Sequence, residues 1–269
     1  MSPQYTVTAT PQAEESGAVA LAVASLPASF GPGNDATPAD AARISALDGA
    51  PGWTTEAIKA IDGGASGIVV VNPVPENTAA LLNAASASGV AVVLDQRWAS
   101  NPGLAGAEDA VRSVAGRAAM LDTVATAAAG TDPERLLTEH LAAVVRVTGQ
   151  LDALRLLRRG THGYTASGRL ANGAPVSLQG VLSNSRPAGV DFRLYTDDGG
   201  VSIAVPEPLA AWPAEVRATG PQGEILLPTL YESAHRTTWR RLKEHLDAGT
   251  LPSDLAGFAR LTESIAHLT

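Results

Sequence analysis

Two stretches decide the fold: Gly67-Ile68-Val69-Val70-Val71-Asn72-Pro73 and Val90-Ala91-Val92-Val93-Leu94-Asp95. Each is a short run, apolar on both faces and rich in β-branched residues, which reads as a strand buried on both sides of a parallel sheet. Residues 76–88 between them read as a helix, and Gly89 is placed to end it. Strand, helix and strand with short connections make a parallel α/β unit, whose ligand edge lies at the carboxyl ends of the strands. Those ends are Asn72-Pro73 and Asp95-Gln96-Arg97-Trp98. Upstream, residues 18–24 read as a further buried strand ending at Ser25-Leu26, and residues 5–9 as a short strand. Thr37-Pro38-Ala39-Asp40 reads as a capped helix start, with the helix ending near Asp48-Gly49. Residues 55–62 read as another helix, stopped by Gly63-Gly64.

Downstream the texture changes. Residues 107–129 are Ala-rich and read as helical, and Thr131-Asp132-Pro133-Glu134 opens a helix running to about Val147. From Leu151 to Leu227 apolar and polar residues alternate between turn signals, such as Asp197-Asp198-Gly199-Gly200. That pattern predicts a mostly antiparallel sheet. Two helices, over 229–247 and 252–268, close the chain. The expected organisation is a parallel domain over 1–100 and an antiparallel-sheet domain over 101–269. In the second, apolar residues on both sides of strands 176–182 and 190–195 would point to a covered outer face and an oligomer.

Composition narrows the chemistry. Of 269 residues, 45% are hydrophobic and 17% charged, enough for a sizeable core and too apolar for a disordered chain. The formal charge of −8 argues against a nucleic-acid partner. The absence of cysteine excludes disulfides, thiolate zinc sites and cysteine nucleophiles. No apolar run reaches the roughly 18 residues of a membrane span, and the first residues carry neither a basic segment nor a signal core; the expectation is a cytoplasmic protein with no membrane contact. The five histidines are scattered without ligand spacing, so no metal is expected. Lys59 and Lys243 are the only lysines, which leaves two candidates for any chemistry that needs one.

The stretch Ser66 to Pro73, a helix, then Gly89-Val90-Ala91-Val92-Val93-Leu94-Asp95-Gln96-Arg97-Trp98 resembles the glucose–fructose oxidoreductase/inositol dehydrogenase/MocA family. That family carries D-x-V-x-V-x-x-P, a helix, then G-x-x-V-x-x-E-K-P, and the similarity spans about residues 18–268. It implies a Rossmann-like parallel sheet followed by an open antiparallel sheet, a nicotinamide dinucleotide, a sugar or polyol substrate, and association through the open sheet.

The departures matter as much. If residues 18–24 are the family's second strand, the 17 residues before them cannot hold a strand, a Gly-rich turn and a helix, so the first unit reads as truncated. Gly31-Pro32-Gly33-Asn34-Asp35-Ala36 matches G-x-G-x-x-A formally but lies six residues past that strand, and reads as a loop before a capped helix. The family's E-K-P lysine, a proton relay, is replaced: Asp95-Gln96-Arg97 or Gln96-Arg97-Trp98 stands there. An arginine stays charged at working pH and cannot act as a general base, though it can hold a ligand by hydrogen bonds. The family's D-x-x-x-H-x-x-D helix falls on Leu136 to Ala143 and keeps only the histidine, His140. On this resemblance the catalytic candidates are His140 and Arg97, and Asn72, Pro73 and Gln96 would touch a dinucleotide if one binds.

Each candidate has a plainer explanation. His140 lies on the apolar stripe of Leu136, Leu137, Leu141, Val144 and Val145, which suits a packing histidine. Arg97-Trp98 suits a cap at a domain junction. His162 and Tyr164 suit exposed hairpin positions, and Tyr231, His235, Leu242 and Leu246 make a helical core stripe. The functional expectation is an oxidoreductase-like protein that has lost its own dinucleotide site and acts as a ligand-binding or partner subunit, as a homo-oligomer or beside an intact homologue. The alternative is an active NAD(P)-dependent sugar or polyol dehydrogenase with an atypical site.

Overall fold

The computed structural model describes residues 5–33, 42–208 and 212–268, which form two compact units. The first comprises residues up to Gln96 together with Ala234–Glu263, and the second Arg97–Ser233 with the last few residues. The chain passes from the first unit to the second at 96/97 and returns to the first at 234.

The first unit holds a five-stranded, wholly parallel sheet. Its strands are β1 (Tyr5–Ala9), β2 (Phe30–Pro32), β3 (Ala42–Asp48), β4 (Gly67–Val71) and β5 (Ala91–Asp95), in the order β2-β1-β3-β4-β5. Helices α1 (Pro11–Gly17), α2 (Val19–Ala24), α3 (Trp53–Asp62), α4 (Ala79–Ser88), α7 (Ala234–Ala248) and α8 (Asp254–Ala266) surround it. β4 and β5 are fully buried along their length, as runs apolar on both faces require. On one face Val7, Ile44, Val69, Val71 and Val93 pack with Val19 and Val23 of α2 and Trp239 and Leu242 of α7. Trp53 of α3 meets Phe258 of α8, ring centroids 6.0 Å apart. The closing helix α7 belongs to this unit because Ala234, His235, Thr238, Trp239 and Leu242 on one side of it are buried; Tyr231, placed in that stripe by spacing, precedes the helix and is 79% exposed.

Two sequence expectations are overturned here. Residues 19–24 are a helix: Val19, Ala22 and Val23 are buried at helical spacing while Leu21 is 72% exposed. Residues 42–48 are a strand, not the end of a helix, because Ile44 and Ala46 alternate into the core and the strand pairs with both β1 and β4. The capped start at 37–40 lies outside the described residues. The consequence is topological. Residues 5–32 make a strand, two short helices and a parallel strand, so a leading strand–helix–strand unit is present, with β1 in the middle of the sheet.

The second unit is an eight-stranded mixed sheet in the order β13-β12-β11-β10-β6-β9-β8-β7. Its strands are β6 (Met120–Ala127), β7 (Asp152–Gly160), β8 (Gly163–Arg169), β9 (Pro175–Leu182), β10 (Gly189–Thr196), β11 (Gly199–Pro206), β12 (Glu215–Gly220) and β13 (Gly223–Leu226). All pairs are antiparallel except β6 with β9. Residues 107–129, read as helical, divide into the end of α5 (Gly103–Val114), a turn, and β6. β6 is a strand because Leu121, Thr123, Ala125 and Ala127 alternate into the core between two neighbours. α5 and α6 (Pro133–Thr148) pack against the sheet. The outward positions of β9 and β10, namely Ser177, Gln179, Val181, Asp191, Arg193 and Tyr195, are mostly polar, so these strands are not apolar on both sides.

Candidate functional site

In an open parallel sheet a ligand sits at the carboxyl ends of the strands, where the order reverses. Here the reversal lies at β1, with β2 to one side and β3 to the other. The edge is built from the turn after β1, the loops after β3 and β4, and the end of β5.

The loops after β3 and β4 interlock. Gly49 N donates to Val71 O (2.8 Å) and Val74 N to Gly49 O (2.9 Å). A Cβ on Gly49 would lie 2.3 Å from Pro73 Cα, so only glycine fits. Asn72 follows with φ +50°, and its N–H donates to Asp95 O (2.8 Å). Its Oδ1 is buried and has no hydrogen-bond partner among the described residues. Left-handed backbone in a non-glycine residue and an unsatisfied buried acceptor are both costly, and they gather at functional sites.

Behind this edge lies a polar cluster that spacing alone does not reveal. Asp95, fully buried at the end of β5, lies 2.7 Å from Nδ1 of His235 and accepts from Thr238 Oγ1 at 3.1 Å. The two partners come from α7, 140 residues further along the chain.

The helix ends at the same edge are already capped. After β1 the turn reads Thr10-Pro11-Gln12-Ala13-Glu14, without glycine. Thr10 Oγ1 accepts from Ala13 N (3.3 Å), Pro11 has no N–H to offer, and Glu14 takes the backbone N–H of Ala20. At the start of α3, Glu76 accepts from the backbone of Gly52 and from Oγ1 (2.9 Å) and N (3.4 Å) of Thr54. A pyrophosphate needs free N–H groups, close backbone approach and no adjacent carboxylate. The residues around Thr10 and Glu76 do not fit one. Asn72 Oδ1 does fit a donor, such as a ribose hydroxyl or a carboxamide N–H.

The other candidates lie in the second unit. His140 is completely buried in α6. Its Nε2 lies 2.8 Å from Thr123 Oγ1 and its Nδ1 2.7 Å from Tyr164 Oη. Burial pushes its pKa down to about 3, so it is neutral near pH 7. Tyr164, expected on an exposed hairpin, is buried, and desolvation, helped by the Glu139 charge, raises its hydroxyl pKa well above 10. Its ring lies against Gly180, where a Cβ would clash at 2.1 Å. Arg97, just past β5, is held by Glu139 (3.3 Å) and Glu207, and stacks over Trp98 with its Cζ 5.0 Å from the ring centroid. Burial works against its charge, but the two carboxylates outweigh it and the guanidinium stays protonated. Glu139 also binds Arg135 at 3.1 Å, which makes a four-residue charged network. The structure therefore sets Arg97 beside Glu139, the chain neighbour of His140, while the imidazole itself is enclosed by two hydroxyls. Among the described residues no group of three or more His, Asp or Glu could hold a metal ion, and no helix is long and apolar enough to cross a membrane.

No family model and no curated protein matches this chain. Solved structures do. The D-galactose-1-dehydrogenase of Rhizobium etli aligns over 100% of this chain and 96% of its own, with TM-score 0.71 at 14% identity. The 3-ketoreductase KijD10 of Actinomadura kijaniata, solved with NADP, aligns over 99% and 96%, with TM-score 0.71 at 12% identity. A dehydrogenase of Chromobacterium violaceum aligns over 100% and 95%, with TM-score 0.64 at 14% identity. At such identities the likeness is one of fold: this chain shares the two-part, Rossmann-like architecture of these solved proteins.

Proposed function

We propose that this protein is an oxidoreductase of the glucose–fructose oxidoreductase/inositol dehydrogenase/MocA type, an NAD(P)-dependent sugar or polyol dehydrogenase with an atypical cofactor site. The observation that carries this reading is Asn72: a buried amide oxygen without a partner, on left-handed backbone, at the carboxyl end of an inner strand. The complete leading strand–helix–strand unit supports it, as does the likeness to enzymes named as a galactose dehydrogenase and an NADP-bound ketoreductase. Such a cofactor supplies hydride transfer. Asn72, Pro73 and Gln96 line the edge that would receive it, and the capped turn at Thr10 predicts weak, millimolar-range binding rather than the tight grip of a glycine cradle. Gln96 can donate or accept a hydrogen bond but moves no proton, so turnover is slow. The test is the change in reduced-nicotinamide absorbance with a panel of sugars and polyols, in wild type and Asn72→Gly. Slow turnover that Asn72→Gly weakens supports the reading, and nucleotide binding with no turnover on any member would reject it as a dehydrogenase.

A second reading, a cofactor-free ligand-binding or partner subunit, is favoured by the side chains that already cap α1 and α3. It predicts no nucleotide binding at all, and association through the open sheet with itself or an intact homologue. Light scattering of the purified protein, alone and with such a homologue, checks that association.

A further inference from the structure

A pocket of about 490 Å³ lies wholly within the second unit, at the end of the sheet where β10 begins and β11 ends. Its walls are apolar: Pro187, Val190, Val205, Pro206 and Pro213, with the indole of Trp212. Trp212 is 72% exposed, whereas Trp53, Trp98 and Trp239 are all at 1% or less. A large aromatic ring left in water beside an apolar hollow is an incomplete contact.

The rim is charged and unbalanced. Asp191, Glu207 and Glu215 face one lining arginine, Arg186, which binds Asp191 at 2.7 Å. The arginines serving the other two acids are each shared. Arg97 serves both Glu207 and Glu139, the latter helped by Arg135, whereas Arg217 alone serves Glu215 (3.3 Å) and Glu224 (2.8 Å). The excess negative charge therefore sits at Glu215 and its neighbour Glu224, and a carboxylate accepts more hydrogen bonds than one guanidinium N–H supplies. On a chain of net charge −8, that local excess disfavours an anionic ligand.

We infer that this pocket binds a small organic cation, an ammonium group on an apolar body. The body fills the proline-lined hollow, and the ammonium lies over Trp212 and between the acids, where cation–π and ionic attraction add. The inference does not depend on the nucleotide reading.

The arrangement also supplies its own reporter, because acrylamide reaches only the exposed indole. The experiment titrates the whole protein with benzyltrimethylammonium, its uncharged tert-butyl analogue and benzoate, following tryptophan emission and acrylamide quenching. The expected result is saturable protection by the cation, at least about tenfold tighter than by the neutral analogue and weakened by added salt. Benzoate gives none. Glu215→Gln lowers that preference several-fold. Trp212→Ala, read by calorimetry because the reporter is gone, binds at least about tenfold more weakly, and Trp212→Phe recovers part of the loss. Emission from the three buried indoles reports whether each variant is folded. Equal binding of the neutral analogue, binding of benzoate, or no saturation of the folded wild type by about 20 mM would each overturn the proposal.

Discussion

His140 is neutral in the folded protein, with its pKa pushed by burial from 6.5 to about 3. Unfolding exposes an ordinary imidazole that takes up a proton below pH 6.5. The unfolded state then binds more protons, so stability is full above that pH and falls as the pH drops toward about 3. Between pH 7 and pH 5 this histidine alone accounts for a loss of about 2 kcal/mol. Urea unfolding at the two pH values, compared with His140→Gln, measures it: the variant's stability should change less by about that amount, and an equal pH dependence would mean the imidazole is not held neutral. The helical stripe made a packing role for His140 legible. Its hydroxyl partners were not, because Thr123 and Tyr164 reach it only through pairing of strands distant in sequence. Gln96 carries a different prediction. It stands one residue past β5, at one of the two positions where the resemblance would place a lysine, so Gln96→Lys supplies a group able to move a proton. Nucleotide-dependent turnover should rise about 100-fold, the lower end of what general acid–base catalysis contributes. An unchanged rate with the nucleotide still bound would remove Gln96 from the reaction.

At the scale of elements, β4 and β5 were readable because a strand buried on both faces has no polar side to confuse its period. Residues 19–24 and 42–48 were misassigned for opposite reasons. Val19-Ala20-Leu21-Ala22-Val23-Ala24 is a short apolar run whose period is ambiguous, and the choice falls to which residues find a core. β3 is only half-buried, and the strong capping signal at 37–40 drew a helix across it. The helix drawn across β3 takes a strand out of the middle of the sheet, and a strand at 18–24 is what makes the leading unit look truncated. The cap of α3 was also illegible, since Glu76 comes from the loop after β4. Charge-assisted bonds to a helix N-terminus are worth about 1–2 kcal/mol in a partly buried setting. Glu76→Ala should therefore lower the denaturant midpoint by that equivalent, with Glu76→Gln in between. No change in either would mean the carboxylate is not the cap.

At the scale of the molecule, the order β2-β1-β3-β4-β5 places every feature of the proposed nucleotide edge on one side of one sheet. Asn72 offers an acceptor with nothing to accept from, while the neighbouring helix ends are occupied by the chain's own side chains. The proposed function therefore predicts weak nucleotide binding anchored at Asn72. Thermal unfolding with NAD⁺, NADH, NADP⁺ and NADPH, each up to about 10 mM, tests it most directly. A ligand at tenfold its Kd stabilises the folded state by about 1.4 kcal/mol, a shift of roughly 3–5 °C for a chain of this size. At least one nucleotide should produce such a shift in wild type, and Asn72→Gly, which keeps the left-handed backbone but removes the amide, should lose most of it. No shift with any of the four in the wild-type protein would contradict the account and leave the cofactor-free subunit in its place.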